Sequence, residues 1–141
     1  MEVKKLLKKL NLSTFVVIDF ETTGLDSQKD RIIELAAIRF VNGEIVERFV
    51  SLVDPGIDIP NLITEITGIS NEMVKDAPRE EDLIQKFMEF IGEGPIVGHN
   101  IRFDHSFLKQ MIKRHNELDK SFDLYDTLQL ARSFLFNQPV F

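Results

Sequence analysis

Thr14-Phe15-Val16-Val17-Ile18-Asp19-Phe20-Glu21-Thr22-Thr23-Gly24 is the stretch around which the rest of the chain is organised. Its run of β-branched and aromatic residues reads as a strand buried on both faces, with two carboxylates at its downstream end. Side chains two apart on a strand share a face, so Asp19 and Glu21 point the same way. Two like charges about 4 Å apart, at an effective dielectric of about 20, repel by roughly 4 kcal/mol. A hard divalent metal held by oxygen ligands is the natural compensation. An acidic pair at a strand end also has a plain reading as a solvated terminus. The Thr-Thr-Gly that follows weighs against it, because Gly24 allows a tight turn, and the hydroxyls and N–H groups of Thr22 and Thr23 could face a ligand over the carboxylates.

Composition narrows the chemistry. The 141 residues are enough for one domain with a single sizeable core, and 43% apolar residues fit a soluble globular class. No stretch of about 18 apolar residues occurs, and the Lys-rich start from Met1 to Leu10 is unlike a signal peptide, so a cytoplasmic protein without membrane association is expected. The chain has no cysteine, which removes disulfides and thiolate chemistry and leaves carboxylates and three histidines. A net charge of −6 argues against broad non-specific duplex binding, but not against an enzyme that grips one strand end through metals. Residues 1–12 read as a basic arm or short solvated helix, and residues 13–141 as the domain proper.

Working outward, Leu25 to Asp30 is turn-forming and leads to a second strand, Arg31 to Phe40. Asn42-Gly43 is the strongest short hairpin signal, for a type I′ turn. Glu44 to Val53 makes a third strand and completes an antiparallel meander, which Asp54-Pro55-Gly56 ends. Ile57 to Ser70 reads as an ordered loop holding one helical turn. Ser70 or Asn71 is expected to cap a short helix, and Pro78 to sit in the first turn of the next, which buries Leu83, Ile84, Phe87, Met88 and Ile91. Pro95 to His99 is a short strand opening into a helix that buries Phe103, Phe107, Leu108, Met111 and Ile112 and dissolves near Asn116. A last strand over Ser121 to Asp126 precedes a helix through Leu128, Ala131, Leu135 and Phe136. This order describes an α/β protein with a mixed sheet covered by helices.

A further carboxylate, Asp104, falls where a strand hands over to a helix, the crevice in which ligands collect in open α/β sheets. Acidic residues in a first helical turn also simply complement the helix dipole. Joined to Asp19 and Glu21, Asp104 gains another meaning, since a meander strand and a neighbouring strand–helix junction can bring three carboxylates into one cleft.

These residues carry a resemblance. Asp19-Phe20-Glu21-Thr22-Thr23-Gly24 resembles the first motif, and His99-Asn100-Ile101-Arg102-Phe103-Asp104 the second, of the DEDD exonuclease superfamily, in its DEDDh branch. Thr64-Glu65-Ile66-Thr67-Gly68-Ile69 is similar to a segment of the proofreading exonucleases of bacterial replicative polymerases, the epsilon subunit of DNA polymerase III and its polymerase-embedded counterpart. Asp126-Thr127-Leu128 with Ala131-Arg132 also matches, so the likeness spans Phe15 to Arg132, and several ordered motifs are more specific than any one. The resemblance implies an RNase H-like fold with a mixed five-stranded sheet, and removal of nucleotides from the 3′ end of single-stranded DNA with two divalent cations, Mg²⁺ or Mn²⁺. Carried over by position, Asp19, Glu21 and Asp104 would be the catalytic metal ligands, and Thr22, Thr23, Thr67, Asn100 and Phe103 would line the pocket for the terminal nucleotide. A replicative polymerase subunit would be the partner. Relatives that trim RNA share these motifs, so RNA is a rival substrate.

One part of the pattern is missing. The superfamily's third motif, a His followed after four residues by an Asp, would supply the general base and the last metal ligand. Residues 127–141 contain no His, Asp or Glu. Of the histidines present, His99 is expected to pack or hydrogen-bond at a strand end. His105 is turned about 100° from Asp104 on its helix, and His115 is expected at the surface. The close on Val140-Phe141 suggests a domain cut before its last helix. The expectation is therefore a crippled or inactive exonuclease, with a non-catalytic module that docks on a polymerase or holds a strand end as the rival of another class.

Overall fold

A computed structural model describes residues 2–115, 117 and 120–128. Strand β1 (Thr14–Thr22) is central, flanked on one side by β2 (Ile32–Val41) and β3 (Glu44–Leu52), and on the other by β4 (Ile96–Gly98) and β5 (Leu124–Asp126). The sheet order is β3-β2-β1-β4-β5, with β1, β2 and β3 antiparallel and β4 and β5 added in parallel. The helices are α1 (Glu2–Lys9), α2 (Asn61–Thr67), α3 (Asn71–Val74), α4 (Glu80–Ile91) and α5 (Ile101–Arg114). This is the mixed five-stranded sheet flanked by helices that the sequence implied.

The meander follows from its turn. Asn42 and Gly43 have φ of 52° and 83°, the two positive values a type I′ hairpin needs, so β3 folds straight back on β2. Between β1 and β2 the pairing places Asp19 opposite Ala36, Phe20 opposite Leu35 and Glu21 opposite Glu34, with an irregularity between Glu21 and Thr22. Val16, Ile18 and Phe20 face one way and join Phe87 of α4 and Phe107, Leu108 and Met111 of α5 in the main core. Phe20 meets Phe87 edge-on at 5.6 Å. A smaller cluster of Ile33, Ile59, Ile69 and Val74 seals the other side of β2 under the 57–77 segment.

Three expectations are corrected. Strand β1 is not buried on both faces: Val16, Ile18, Phe20 and Thr22 are buried, whereas Asp19 is exposed and Phe15, Val17 and Glu21 are half-buried. The layer of α4 and α5 covers the even-numbered face alone, so the carboxylates stand on the open one. The 57–70 segment holds the seven-residue helix α2, entered after Pro60 and stopped by Gly68 in the left-handed conformation, φ 78°, with its amide bonded to Thr64 O. Pro78 lies outside α4, whose N-cap is Arg79; the Arg79 amide donates to Asp82 Oδ2, while Pro78 offers its carbonyl to Asp54 N.

Other expectations stand. Ser70 caps α3, its hydroxyl accepting from the Met73 amide. The apolar faces of α4 and α5 are buried as their periodicity requires, except that Phe103, at the start of α5, is half-buried. The N-terminal segment forms α1, and Thr127 and Leu128 begin a helix. Its expected continuation through Ala131, Leu135 and Phe136 lies outside the described residues. Among the described residues no helix is long and apolar enough to cross a membrane.

Candidate active site

The site is built where β4 stops short. β4 pairs with β1 only at Val16–Ile96 and Val17–Val97, and the chain then turns at Asn100, whose φ of 55° and ψ of 51° swing it into α5. Gly98 permits the close approach at this corner: a Cβ there would stand 2.7 Å from Ile101 Cδ1 and 3.2 Å from Ile18 O. Strand β1 continues past the end of its partner. Alternate residues of a strand send their N–H groups to the same side, and on the β4 side Val16 N donates to Pro95 O. Further along that edge the Phe20 amide has no strand to bond, and the Asp104 carboxylate takes the place of one, accepting at Oδ1 over 2.9 Å. A buried N–H left unpaired is costly, so this bond fixes the α5 carboxylate against β1, at the residue between Asp19 and Glu21.

The charges of the three acids act on one another. Asp104 is buried, with 4% of its surface exposed. Burial pushes its carboxyl up to about 7; the Phe20 amide opposes the rise, and the charges of Asp19 and then Glu21 add to it. Glu21 is raised as well, first by burial, then by Asp19, then by Glu34. Glu34 is a fourth acid that sequence reasoning missed. It is the one charged residue in the apolar run Ile32 to Ala37, and only the β1–β2 register reveals that it sits opposite Glu21. The donor set is all oxygen and mutually repulsive, the chemistry suited to hard divalent cations. Among the described residues, no three Asp, Glu or His side chains are drawn together around a single ion position. One Asp104 oxygen is committed to the Phe20 amide.

A family model described as Exonuclease, RNase_T, matches residues 16–139. The chain belongs to this exonuclease family. Among curated relatives, the PolC-type DNA polymerase III of Thermotoga maritima is 43% identical over 123 residues, covering 87% of this chain and 9% of that protein. The PolC-type polymerase of Bacillus subtilis is 42% identical over 124 residues, 87% of this chain and 9% of the relative. The chain therefore spans about a tenth of the length of the relatives it matches. Among solved structures, E. coli exonuclease I in complex with a dA16 oligonucleotide superposes with a TM-score of 0.77 at 23% identity, covering 86% of this chain and 29% of that one. That likeness is one of fold.

Within this exonuclease domain the threonines are already engaged. Thr23 Oγ1 donates to Asp30 Oδ1 and accepts from Arg31 N, and its own amide donates to Arg31 O. Thr22 Oγ1 donates to Gly24 O at 2.6 Å. The hydroxyls of Thr22 and Thr23 and the Thr23 amide thus bond within the chain, in buried residues that hold the loop following Glu21. Asp30 organises that loop, also accepting from Asp26 N. Thr67 is used in the same way, donating to Ile63 O and accepting from Ile69 N. Asn100 is exposed, with its amide tied to Asp126 Oδ1, which also holds Leu128 N. Phe103 is half-buried against Phe107, ring centroids 5.0 Å apart. Leu25, on the loop after Glu21, was not singled out in the sequence, yet 87% of its surface is exposed. A large apolar residue following a Thr-Thr-Gly turn was the available signal.

The histidines divide as follows. His99 Nδ1 lies 3.2 Å from Thr127 Oγ1, a hydrogen bond joining the ends of β4 and β5. His105 sets its ring at right angles to Phe122, 6.4 Å between centroids. His115 is not the surface residue expected. Its Nε2 lies 2.9 Å from Oε2 of the buried Glu80, whose two oxygens also receive Arg114 Nε and Nη2 at 3.0 and 2.7 Å. The start of α4 is short of backbone partners and rich in acid, and the end of α5 is basic, so their side-by-side packing brings these groups together.

Proposed function

We propose that this exonuclease domain is of the proofreading type, releasing nucleotides from the 3′ end of single-stranded DNA, with Asp19, Glu21 and Asp104 holding two divalent cations, Mg²⁺ or Mn²⁺. The observation that carries this reading is the delivery of Asp104 by α5 to the backbone between Asp19 and Glu21, which gathers acids from distant parts of the chain at the open end of β1. When bound, the cations would polarise the phosphodiester, activate a water and stabilise the departing 3′ oxygen. The chain's own part is to hold oxygen donors on two rigid elements and to offer apolar surface for a base. Exposed Leu25 and half-buried Phe103 are placed on the elements that carry the acids, and the threonines keep the Leu25 loop in shape. The relatives are DNA polymerases and the superposed exonuclease carries a DNA oligomer, which favours DNA over RNA and a polymerase as partner in the cytoplasm.

Hydrolysis by the 141-residue chain itself is expected to be slow. Residues 127–141 offer no His, Asp or Glu to act as base or last ligand, and losing one general base alone costs about two or more orders of magnitude. A second reading is a unit of residues 13–141 that holds a strand end without cutting it. The deciding experiment incubates the chain with 3′-labelled DNA and RNA oligomers in Mn²⁺, Mg²⁺ or a chelator. Slow metal-dependent release from the 3′ end of DNA, abolished by Asp19→Asn, is the expected result. Faster trimming of RNA would transfer the substrate, release from the 5′ end or in chelator would defeat the proposal, and Mn²⁺ binding without release would establish the second reading.

A further inference from the structure

The outer face of α5 is basic, in a chain of net charge −6. Arg102, His105, Lys109 and Lys113 follow one another at spacings of three, four and four residues, which puts them in a single stripe on the helix. The only acid on α5 is Asp104, buried on the side towards the sheet. Arg102, Lys109 and Lys113 are exposed and form no ion pair with any described residue.

A cleft opens against this stripe. It has a volume of about 330 Å³ and is lined by His105 and Lys109 of α5 and by Lys120, Ser121 and Phe122 of the segment leading to β5. Lys120 also makes no ion pair with a described residue. A second cleft along the helix, lined in part by Lys109 and Lys113, continues the basic surface, with Glu117 at its far end. The stripe begins in the first turn of α5, the turn that delivers Asp104 to Phe20. From there Lys109 and Lys113 are set about 6 Å apart along the helix axis, of the order of the distance between successive phosphates on a strand.

We infer that this cleft and stripe are a track for the backbone phosphates of a single strand whose 3′ end lies at the carboxylates, an assignment that rests on the nucleic-acid reading above. Unpaired cations beside a partly exposed aromatic ring are the means by which proteins hold single strands without reading sequence: the ammonium groups follow the phosphates, the Ser121 hydroxyl donates to one, and Phe122 offers its ring to a base. Phe122 packs in part against the main core and is half-buried, so it forms a fixed wall of the cleft. The track also answers an electrostatic problem of the site, where three acids repel the polyanion they act on and attraction must come from nearby.

The test measures binding of dT oligomers to the full chain by fluorescence anisotropy in Ca²⁺, from a dinucleotide to an oligomer long enough to reach Lys113. For the unaltered chain affinity should rise with length and fall with salt. The charge-reversed variant Lys109→Glu/Lys113→Glu/Lys120→Glu should bind the dinucleotide as before, lose at least about tenfold for the long oligomer, and show a log–log salt slope shallower by about 0.7 for each phosphate it no longer neutralises. The variant with arginine at the same three positions should restore both. Unchanged length and salt dependence in the charge-reversed variant would overturn the track while leaving the exonuclease reading intact, and an acidic polypeptide displaced by the same variant would then be the occupant. Failure of the unaltered chain to bind even the dinucleotide would instead defeat the reading on which the track rests.

Discussion

Asp104 on α5 accepts the backbone amide of Phe20 on β1 over 2.9 Å, across 84 positions of sequence. That bond closes the edge that β4 leaves open, and it puts a buried carboxylate beside Asp19 and Glu21. The burial that makes the bond necessary also makes the charge expensive.

Stability should report that expense. The Asp104 carboxyl, ordinarily at 3.8, stands at about 7 in the folded chain. Between those values the unfolded chain has released the proton while the folded chain retains it, so the Asp104 contribution declines as pH rises, by about 1.4 kcal/mol per unit, and levels off above about 7. Asp104→Asn keeps an acceptor for the Phe20 amide without the charge. Thermal melts should show the variant and parent alike near the bottom of this window and the variant the more stable above it; a constant difference across the range would contradict the assignment.

Divalent cations should compete with that proton. Metal binds the ionised carboxylate, so the rise in Tm on adding Mn²⁺ should grow as pH passes through about 7. The upward shift of Glu21 acts in the same direction. Asp19→Asn, Glu21→Gln and Asp104→Asn should each reduce the Mn²⁺-dependent gain, and calorimetric titration should show fewer protons released on binding.

The β4 corner has no room for a side chain. Gly98→Ala would set a Cβ against the Ile18 carbonyl and Ile101 Cδ1, one of them backbone that cannot rotate away. The expected cost is about 1–3 kcal/mol by denaturant unfolding. Because β4 must move from β1 and α5 follows it, the pH-dependent signature of Asp104 should shrink as well.

At the other end of α5, Glu80 joins Arg114 and His115. Arg114→Ala removes the bidentate partner of a carboxylate that is 8% exposed. Breaking a buried pair by deleting one member costs about 3 kcal/mol. The paired change Glu80→Gln/Arg114→Met should be milder than Arg114→Ala alone, since it leaves no lone buried charge, and urea midpoints of the three proteins test this.

The sequence by itself determined the elements and the chemistry. Asn42-Gly43 set the hairpin, the apolar periodicity of α4 and α5 set which faces are buried, and the motifs around Asp19 and Asp104 declared both the family and the acids. These are properties of local backbone preference and of residue type, which a linear string carries. The tertiary structure decided what depends on the meeting of distant residues. It placed helices on one face of β1, leaving Asp19 open; it turned the hydroxyls of Thr22, Thr23 and Thr67 inward to carbonyls, amides and Asp30; and it set Glu34 opposite Glu21. It also drew His115 from the expected surface to Glu80, because the ends of α4 and α5 lie side by side. Register, burial and the resulting shifts in acidity are long-range quantities, and no window of sequence contains them.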